Sequence, residues 1–411
     1  FIIWNYRQFI SWTICFMDSQ SQTKEVKITF CGGVGGVTGA NFLLASETEG
    51  QPLRILVDCG MFQGTNKEER MNLEPFPYDP ATIDAVFVTH AHMDHIGRLP
   101  ILIKKGYTGP VYSTPPTQEI SHVAFQDALG LMDRGNHSAG GKNGSKQKNK
   151  DENPPLYTEE NVAVLMNQWK TFGYHQPIKI GDFSVVFHDA GHILGSAMVE
   201  FTYMVPSTGT ALNPGGSQKI LFTGDLGNSP APLLKDTEAV TDADYLIMES
   251  VYGDRNHEDR AVRRDKLEDV IEETMRKNGV LLIPAFSIER TQELLYEIEN
   301  MMENSRIPLV PVFLDSPMAI RVTEIYKKYG DYLNKATDSI IKGGDGIFRF
   351  AQFHETMSTE DSKAIDLSNT KKIIMAGSGM SNGGRIIHDE RKFLPDAKNT
   401  ILLAGYQSVG S

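Results

Sequence analysis

Apolar positions in the first half of the chain come in short runs, each closed by a polar or glycine-rich turn. Lys27–Phe30, Phe42–Ala45, Leu53–Val57 and Ala85–Val88 read as strands from their β-branched and apolar content. Arg98–Lys105 predicts a helix, Val111–Thr114 a strand and Thr117–Asp133 a second helix. Thr158–Phe172 is amphipathic at helical spacing. Lys179–Asp182 marks a turn, and Ser184–His188 alternates as a half-buried strand. Val199–Met204 and Lys219–Thr223 are expected to pair across a Gly/Pro/Asn loop.

The pattern changes after Tyr245. Tyr245–Met248, Val280–Ile283, Leu309–Leu314, Ile373–Ala376 and Ile401–Ala404 are continuous apolar runs. Helical stretches at Arg260–Lys277, Glu289–Glu303, Met318–Tyr329 and Arg385–Phe393 separate them. Such alternation predicts an α/β region with a parallel sheet covered on both faces. Ligands of open parallel sheets sit beyond the carboxyl ends of the strands. Those ends carry Pro284-Ala-Phe-Ser287, Asp315-Ser-Pro-Met318 and Gly377-Ser-Gly-Met380. Small residues there let a sugar-phosphate backbone approach main-chain N–H groups. Ser316, Gly377, Ser378, Gly379 and Arg385 are therefore the substrate-binding candidates, with plain turn chemistry as the alternative.

Composition narrows the class. The chain has 411 residues, 40% apolar and 22% charged, the balance of a globular protein of two or three domains. A net charge of −12 excludes a globally basic nucleic-acid binder but not a local groove. Cys15, Cys31 and Cys59 have no metal-like spacing and make no disulfide framework, so a reducing, cytoplasmic setting is expected. Residues 1–16 contain no Met and are aromatic-rich, with apolar runs too short to span a membrane. They are expected to be a non-native or frayed extension ahead of Met17. Residues 134–155 hold Gly, Asn, Lys and Ser with few apolar side chains, as a flexible insertion would. Its lysines, Lys142, Lys146, Lys148 and Lys150, are read as solvating that loop.

The chemistry concentrates in Thr-His-Ala-His-Met-Asp-His, residues 89–95. Three of the chain's 11 histidines fall within six positions, together with a carboxylate. Imidazole nitrogen and carboxylate oxygen are the ligands Zn²⁺ prefers. His90 and His92 share one side of an extended backbone and can reach one metal. Asp94 and His95, past the bend, can turn to a second. Asp58 closes a strand and is expected to orient a ligand histidine. His192, in a glycine-flanked loop, and Asp225, at another strand end, extend the ligand set. A carboxylate at Asp225 has two oxygens and can bridge two cations. His122 and His188 are read as structural.

In this order, Asp58, the His90/His92/Asp94/His95 cluster, His192 and Asp225 resemble the first four motifs of the metallo-β-lactamase fold. Glu249-Ser-Val-Tyr-Gly253, Pro284-Ala-Phe286, Leu314-Asp-Ser-Pro-Met318 and Gly379-Met380 with Gly383-Gly-Arg385 resemble the β-CASP insertion of nucleic-acid-processing members. Among these is the endonuclease subunit of the eukaryotic pre-mRNA 3′-processing complex. The resemblance implies an αββα metallo-β-lactamase sandwich over residues 17–244, then a β-CASP domain over 245–411.

It further implies one zinc on His90, His92, His192 and Asp225, and a second on Asp94, His95 and Asp225. Asp94, Glu249 and Asp58 would be the catalytic set, with Glu249 facing the site. Two more histidine motifs belong to the pattern. After His192 the chain has His257, His354 and His388, none in matching surroundings. The closing part of the first domain is thus expected past Ser411, and the fragment to be weaker at its second site, or inactive. The activity implied is hydrolysis of single-stranded RNA by a hydroxide bridging two zinc ions. Its substrate would lie in the cleft between domains. The chain would act without a membrane, as a homodimer or with a processing-complex partner. A DNA-directed β-CASP nuclease, a small-molecule metallo-hydrolase and a non-catalytic scaffold subunit are the competing readings.

Overall fold

The computed structural model describes residues 10–17, 23–48, 51–138, 155–205, 216–256, 262–344, 346–367, 370–405 and 407. The chain divides into two compact units, Phe1–Asn228 with Thr237–Glu249, and Ser229–Asp236 with Ser250–Ser411. The sequence-based boundary at 244/245 therefore falls five residues early, and Ser229–Asp236 joins the second unit. The lysines of the 134–155 insertion lie outside the described residues.

Among the described residues, unit one holds two sheets. The first orders β1 (Ile10–Met17), β2 (Thr23–Gly32), β3 (Asn41–Thr48), β4 (Gln51–Val57), β5 (Ala85–Phe87), β6 (Val111–Ser113) and β7 (Trp169–Thr171) edge to edge. The second runs β12 (Tyr245–Ile247), β11 (Gly216–Phe222), β10 (Ala197–Val205), β9 (Phe183–Asp189) and β8 (Ile178–Ile180). Alternation makes them a sandwich. Phe183, Val185 and Phe187 of β9 are buried while the residues between them are half-buried. They meet Ile28, Leu44, Ile55 and Phe87 of the first sheet in one core. Phe87 lies edge-on to Phe201, with ring centroids 5.3 Å apart. Every residue of β5 is buried, so that strand is covered on both faces. Helices Leu99–Lys104, Pro115–Ser138 and Glu159–Gln168 follow in sequence around β6.

The structure departs from the local expectations at four places. Ile10–Met17, within the segment expected to be a non-native or frayed extension, forms an edge strand in antiparallel register with β2, while residues 1–9 lie outside the described residues. The helix expected over Thr158–Phe172 stops at Gln168. Trp169–Thr171 instead pairs parallel to β6, and the Trp169 indole donates to Ser113 Oγ at 2.8 Å. The turn placed at Lys179–Asp182 is the tip of a hairpin that includes β8, with Gly181 at φ +54°. The helix ending at Ser138 also runs into the segment expected to be a flexible insertion.

Unit two is a parallel sheet in the order β15 (Phe353–Glu355), β14 (Val312–Leu314), β16 (Lys372–Ala376), β13 (Val280–Pro284) and β17 (Thr400–Ile401). The strands β13 and β16 are buried throughout, as strands with both faces covered must be. The expected strand over Leu309–Leu314 begins only at Val312, because Pro311 has no N–H for the ladder. The short strand β15 and the helices Lys335–Lys342 and Thr359–Ile365 were not legible beforehand.

Candidate metal centre

The ligand loop is held from beneath. Asp58 follows β4 with φ +58°, and its N–H donates to Phe87 O at 2.9 Å. Its side chain is fully buried. One carboxylate oxygen accepts from Thr89 N at 2.8 Å; the other accepts Thr89 Oγ1 and His95 Nδ1, both at 2.8 Å. Thr89 Oγ1 also lies 3.0 Å from His90 Nδ1. His90 and His95 are thereby oriented with Nδ1 inward and Nε2 outward. His92 then caps a single helical turn, Met93–Ile96, which swings Asp94 and His95 around.

Glycines let the backbones close on this loop. A Cβ on Gly60 would sit 1.5 Å from Asp94 O, and one on Gly227 would sit 1.8 Å from Gly191 O. Ala40 N donates to Asp94 O at 2.9 Å, so the glycine-rich stretch after β2 serves as a brace for the ligand loop. In the His192 loop, Ser196 Oγ accepts from His192 N at 3.0 Å, and Ala197 N donates to Thr89 O at 2.8 Å.

Donor atoms of His90, His92, His192 and Asp225 all lie within 4.8 Å of one another. His92 Nδ1 is 3.1 Å from His90 Nε2 and 3.2 Å from His192 Nε2. Asp225 Oδ2 is 3.7 Å from His90 Nε2 and 3.6 Å from His192 Nε2. Four donors around an ion at about 2.0–2.1 Å would be separated by about 3.3–3.4 Å along each tetrahedral edge. The donor set and its spacing therefore fit a tetrahedral divalent cation. The other Asp225 oxygen, Oδ1, faces His95 Nε2 at 3.2 Å, and Asp94 Oδ2 lies 4.0 Å from that same nitrogen. Asp225 thus turns one oxygen to the four-donor cluster and the other to His95, whose locus with Asp94 the resemblance assigns to a second ion.

Electrostatics agree with the four-donor cluster. Burial holds His92 down to about 3, with His192 adding to it. Burial and His95 likewise depress His90 well below the usual imidazole range. Both rings are therefore neutral and offer lone pairs. Burial, joined by Asp225, pushes Asp94 up to about 6. For His95, burial opposes protonation, but Asp225 and Asp58 outweigh it and raise the ring. Burial works against ionised Asp225 too, yet His95 and the other imidazoles hold it well below the carboxylate range.

Glu249, expected to face the site, is half-buried, and Oε1 accepts from Leu226 N, next to Asp225, at 3.4 Å. In unit two, Ser316 Oγ lies 3.3 Å from Ser287 Oγ and accepts from Ala319 N as a helix cap. Both hydroxyls lie within 4 Å of where a Cβ on Gly377 would be, so these residues converge at the strand ends. Gly379 packs against Phe286, with no room for a side chain. Ser378 hydrogen-bonds Asn382. The Arg385 guanidinium is committed to Asp315 Oδ1 at 2.7 Å and to the carbonyls of Thr356 and Met357.

Several supporting residues escaped the sequence reading: Thr89, Gly60, and Asn41, whose Nδ2 donates to Asp58 O at 2.8 Å. Thr89 lay within the motif itself. Nothing in the pattern marks Asn41.

Comparison with known proteins matches this architecture. Residues 53–272 match the metallo-beta-lactamase superfamily and residues 291–411 match the Beta-Casp domain. A ribonuclease of Thermus thermophilus, TTHA0252, is 36% identical over 386 residues, covering 94% of this chain and 80% of its own. The transcription termination factor FttA of Methanosarcina mazei is 31% identical over 401 residues. That alignment covers 95% of this chain but 58% of the factor. An RNase J-like protein of Methanocaldococcus jannaschii is 30% identical, covering 89% of this chain and 75% of its own. The chain belongs to the metallo-beta-lactamase superfamily and carries its Beta-Casp domain. By class it is a metal-dependent hydrolase. No helix among the described residues is long and apolar enough to cross a membrane.

Proposed function

We propose that this chain hydrolyses phosphodiester bonds of single-stranded RNA, with zinc as its metal, in the cytoplasm. The convergence of His90, His92, His192 and Asp225 at tetrahedral spacing carries the reading. Ions bound at the two loci would supply Lewis acidity to the phosphoryl oxygens and a nucleophile at neutral pH. Three imidazoles and a carboxylate favour zinc over magnesium or calcium, which take oxygen donors.

The chain's own residues do the positioning. Asp58 and Thr89 fix the direction of His90 Nε2 and His95 Nε2, so the donors need little reorganisation. Asp225 faces both loci with different oxygens. Asp94, half-buried beside His95, is placed to take the proton of the attacking group. Glu249 keeps the loop after Asp225 in place through Leu226 N. The RNA substrate rests on the ribonuclease and RNase J-like relatives. Ser316, Gly377, Ser378 and Gly379, at the strand ends of the parallel sheet, form the surface for its backbone.

The test uses metal-stripped protein resupplied with zinc, given labelled RNA and DNA strands of one sequence. Cleavage of the RNA, absent in Asp94→Ala, is expected. Cleavage of the DNA alone would favour the DNA-directed alternative. Equal cutting by Asp94→Ala would remove the metal mechanism.

A further inference from the structure

A second cluster of metal-type donors lies in unit one, apart from the residues of the centre above. On the sheet face away from the core, β9 presents His188 and β10 presents Glu200. Met198 is paired opposite His188, so Glu200 is its diagonal neighbour on the same face. The segment after Thr237 folds over this face and brings Glu238 in. Glu238 N donates to Asp189 O at 2.9 Å, and Asp189 N donates to Glu238 Oε2 at 3.2 Å. His175, whose N–H donates to Phe187 O, completes the group from the loop before β8.

Donor atoms of His175, His188 and Glu238 lie within 4.8 Å of one another. His188 Nε2 is 3.2 Å from Glu200 Oε2, and Nδ1 is 3.0 Å from Glu238 Oε1. His175 Nε2 is 3.3 Å from Glu238 Oε2. When the His188 proton goes to Glu200, which is nearly buried, Nδ1 points a lone pair at a carboxylate oxygen. That pairing is repulsive unless a cation lies between the two atoms or the ring carries a second proton. A carboxylate holding the far nitrogen of a histidine is the usual backing of a metal ligand. Charge points the same way. Among the described residues, the ion pairs here set three carboxylates, Glu200, Glu238 and Asp242, against one lysine, Lys219. The His175 side chain is 60% exposed, so the locus is open to solvent.

We propose that His175, His188 and Glu238 bind a divalent cation of the zinc type, with Glu200 positioning His188. Two imidazoles and one carboxylate select Zn²⁺, Co²⁺ or Ni²⁺ over Mg²⁺ or Ca²⁺. Solvent fills the remaining positions, so the ion binds more weakly than one held by four protein donors. The site ties Glu238 to the start of the loop that carries His192, since Asp189 is bonded to Glu238 in both directions. Loading it therefore stiffens that loop.

The experiment is a zinc titration of the metal-stripped full chain against a chromophoric chelator, with His175→Ala and Glu238→Gln alongside. Each variant should bind one zinc fewer than wild type, while the tightest zinc is retained. Zinc should also raise the melting temperature less in His175→Ala than in wild type. That variant removes an exposed ring, so its metal-free melting temperature, measured in parallel, separates lost binding from lost folding. Equal zinc stoichiometry in all three proteins overturns the proposal.

Discussion

The carboxylate of Asp58 receives His95 Nδ1 at 2.8 Å, at the bottom of the ligand loop and with no exposure to solvent. The contact fixes which nitrogen of His95 faces Asp225, and Thr89 shares the same oxygen. Removing the charge while keeping the shape should loosen the ring without emptying the core. Asp58→Asn is expected to weaken zinc binding about 10–100-fold, the usual effect of such a partner. Chelator competition measures it, with circular dichroism confirming the fold. Unchanged affinity would mean that His95 needs no orientation.

Gly60 tests the packing behind the loop. A methyl group there would overlap Asp94 O, and Ala40 N already holds that oxygen. Gly60→Ala should lower metal-free stability by about 1–3 kcal/mol, the range for overpacking, and weaken zinc binding with it. Denaturant unfolding and the same competition assay report the two effects. A variant as stable and as tight as wild type would show that the loop yields freely.

Arg385 separates structure from substrate contact. Its guanidinium is paired with Asp315, a carboxylate 1% exposed, and is itself 25% exposed. Arg385→Met leaves that carboxylate without its cation and should cost about 2–3 kcal/mol, at the low end for a buried pair because the arginine is partly solvated. Urea unfolding checks it. Unchanged stability with impaired RNA cleavage would instead assign the residue to substrate.

Asp389 makes stability depend on pH. Burial pushes its carboxyl up to about 7, with Asp315 and Asp366 adding to it, and Oδ2 has no hydrogen-bond partner among the described residues. Below about pH 4 folded and unfolded chains are both protonated there. As pH rises toward 7 the unfolded chain releases the proton and the folded chain keeps it, so stability falls through this window. At about 1.4 kcal/mol per pH unit, the penalty at pH 8 is on the order of 4 kcal/mol. Asp389→Asn should therefore be more stable than wild type at pH 8 and equal to it near pH 4. Parallel stability curves for the two proteins would contradict this.

The centre was legible because metal ligands are few in kind and fall at strand ends that apolar patterning reveals. His90, His92, His192 and Asp225 each stand at a strand end or in the loop after it, and their donor atoms come together. Asn41 and Gly60 could not, since a backbone contact across the fold leaves no mark on neighbouring residues. Trp169–Thr171 went astray for a similar reason. Their helical spacing yields to pairing with β6, which lies more than 50 residues away. His188 shows the opposite limit. Alternation placed it correctly on its strand, but its partner Glu238 lies 50 residues further along the chain.

Zinc titration of the metal-stripped chain beside His92→Ala tests the central claim most directly. His92 Nδ1 stands between His90 and His192, so its loss opens the four-donor locus. Wild type should show one tightest zinc equivalent that weakens about 100-fold or more in the variant. If His92→Ala keeps that equivalent at wild-type affinity, the four side chains do not share an ion.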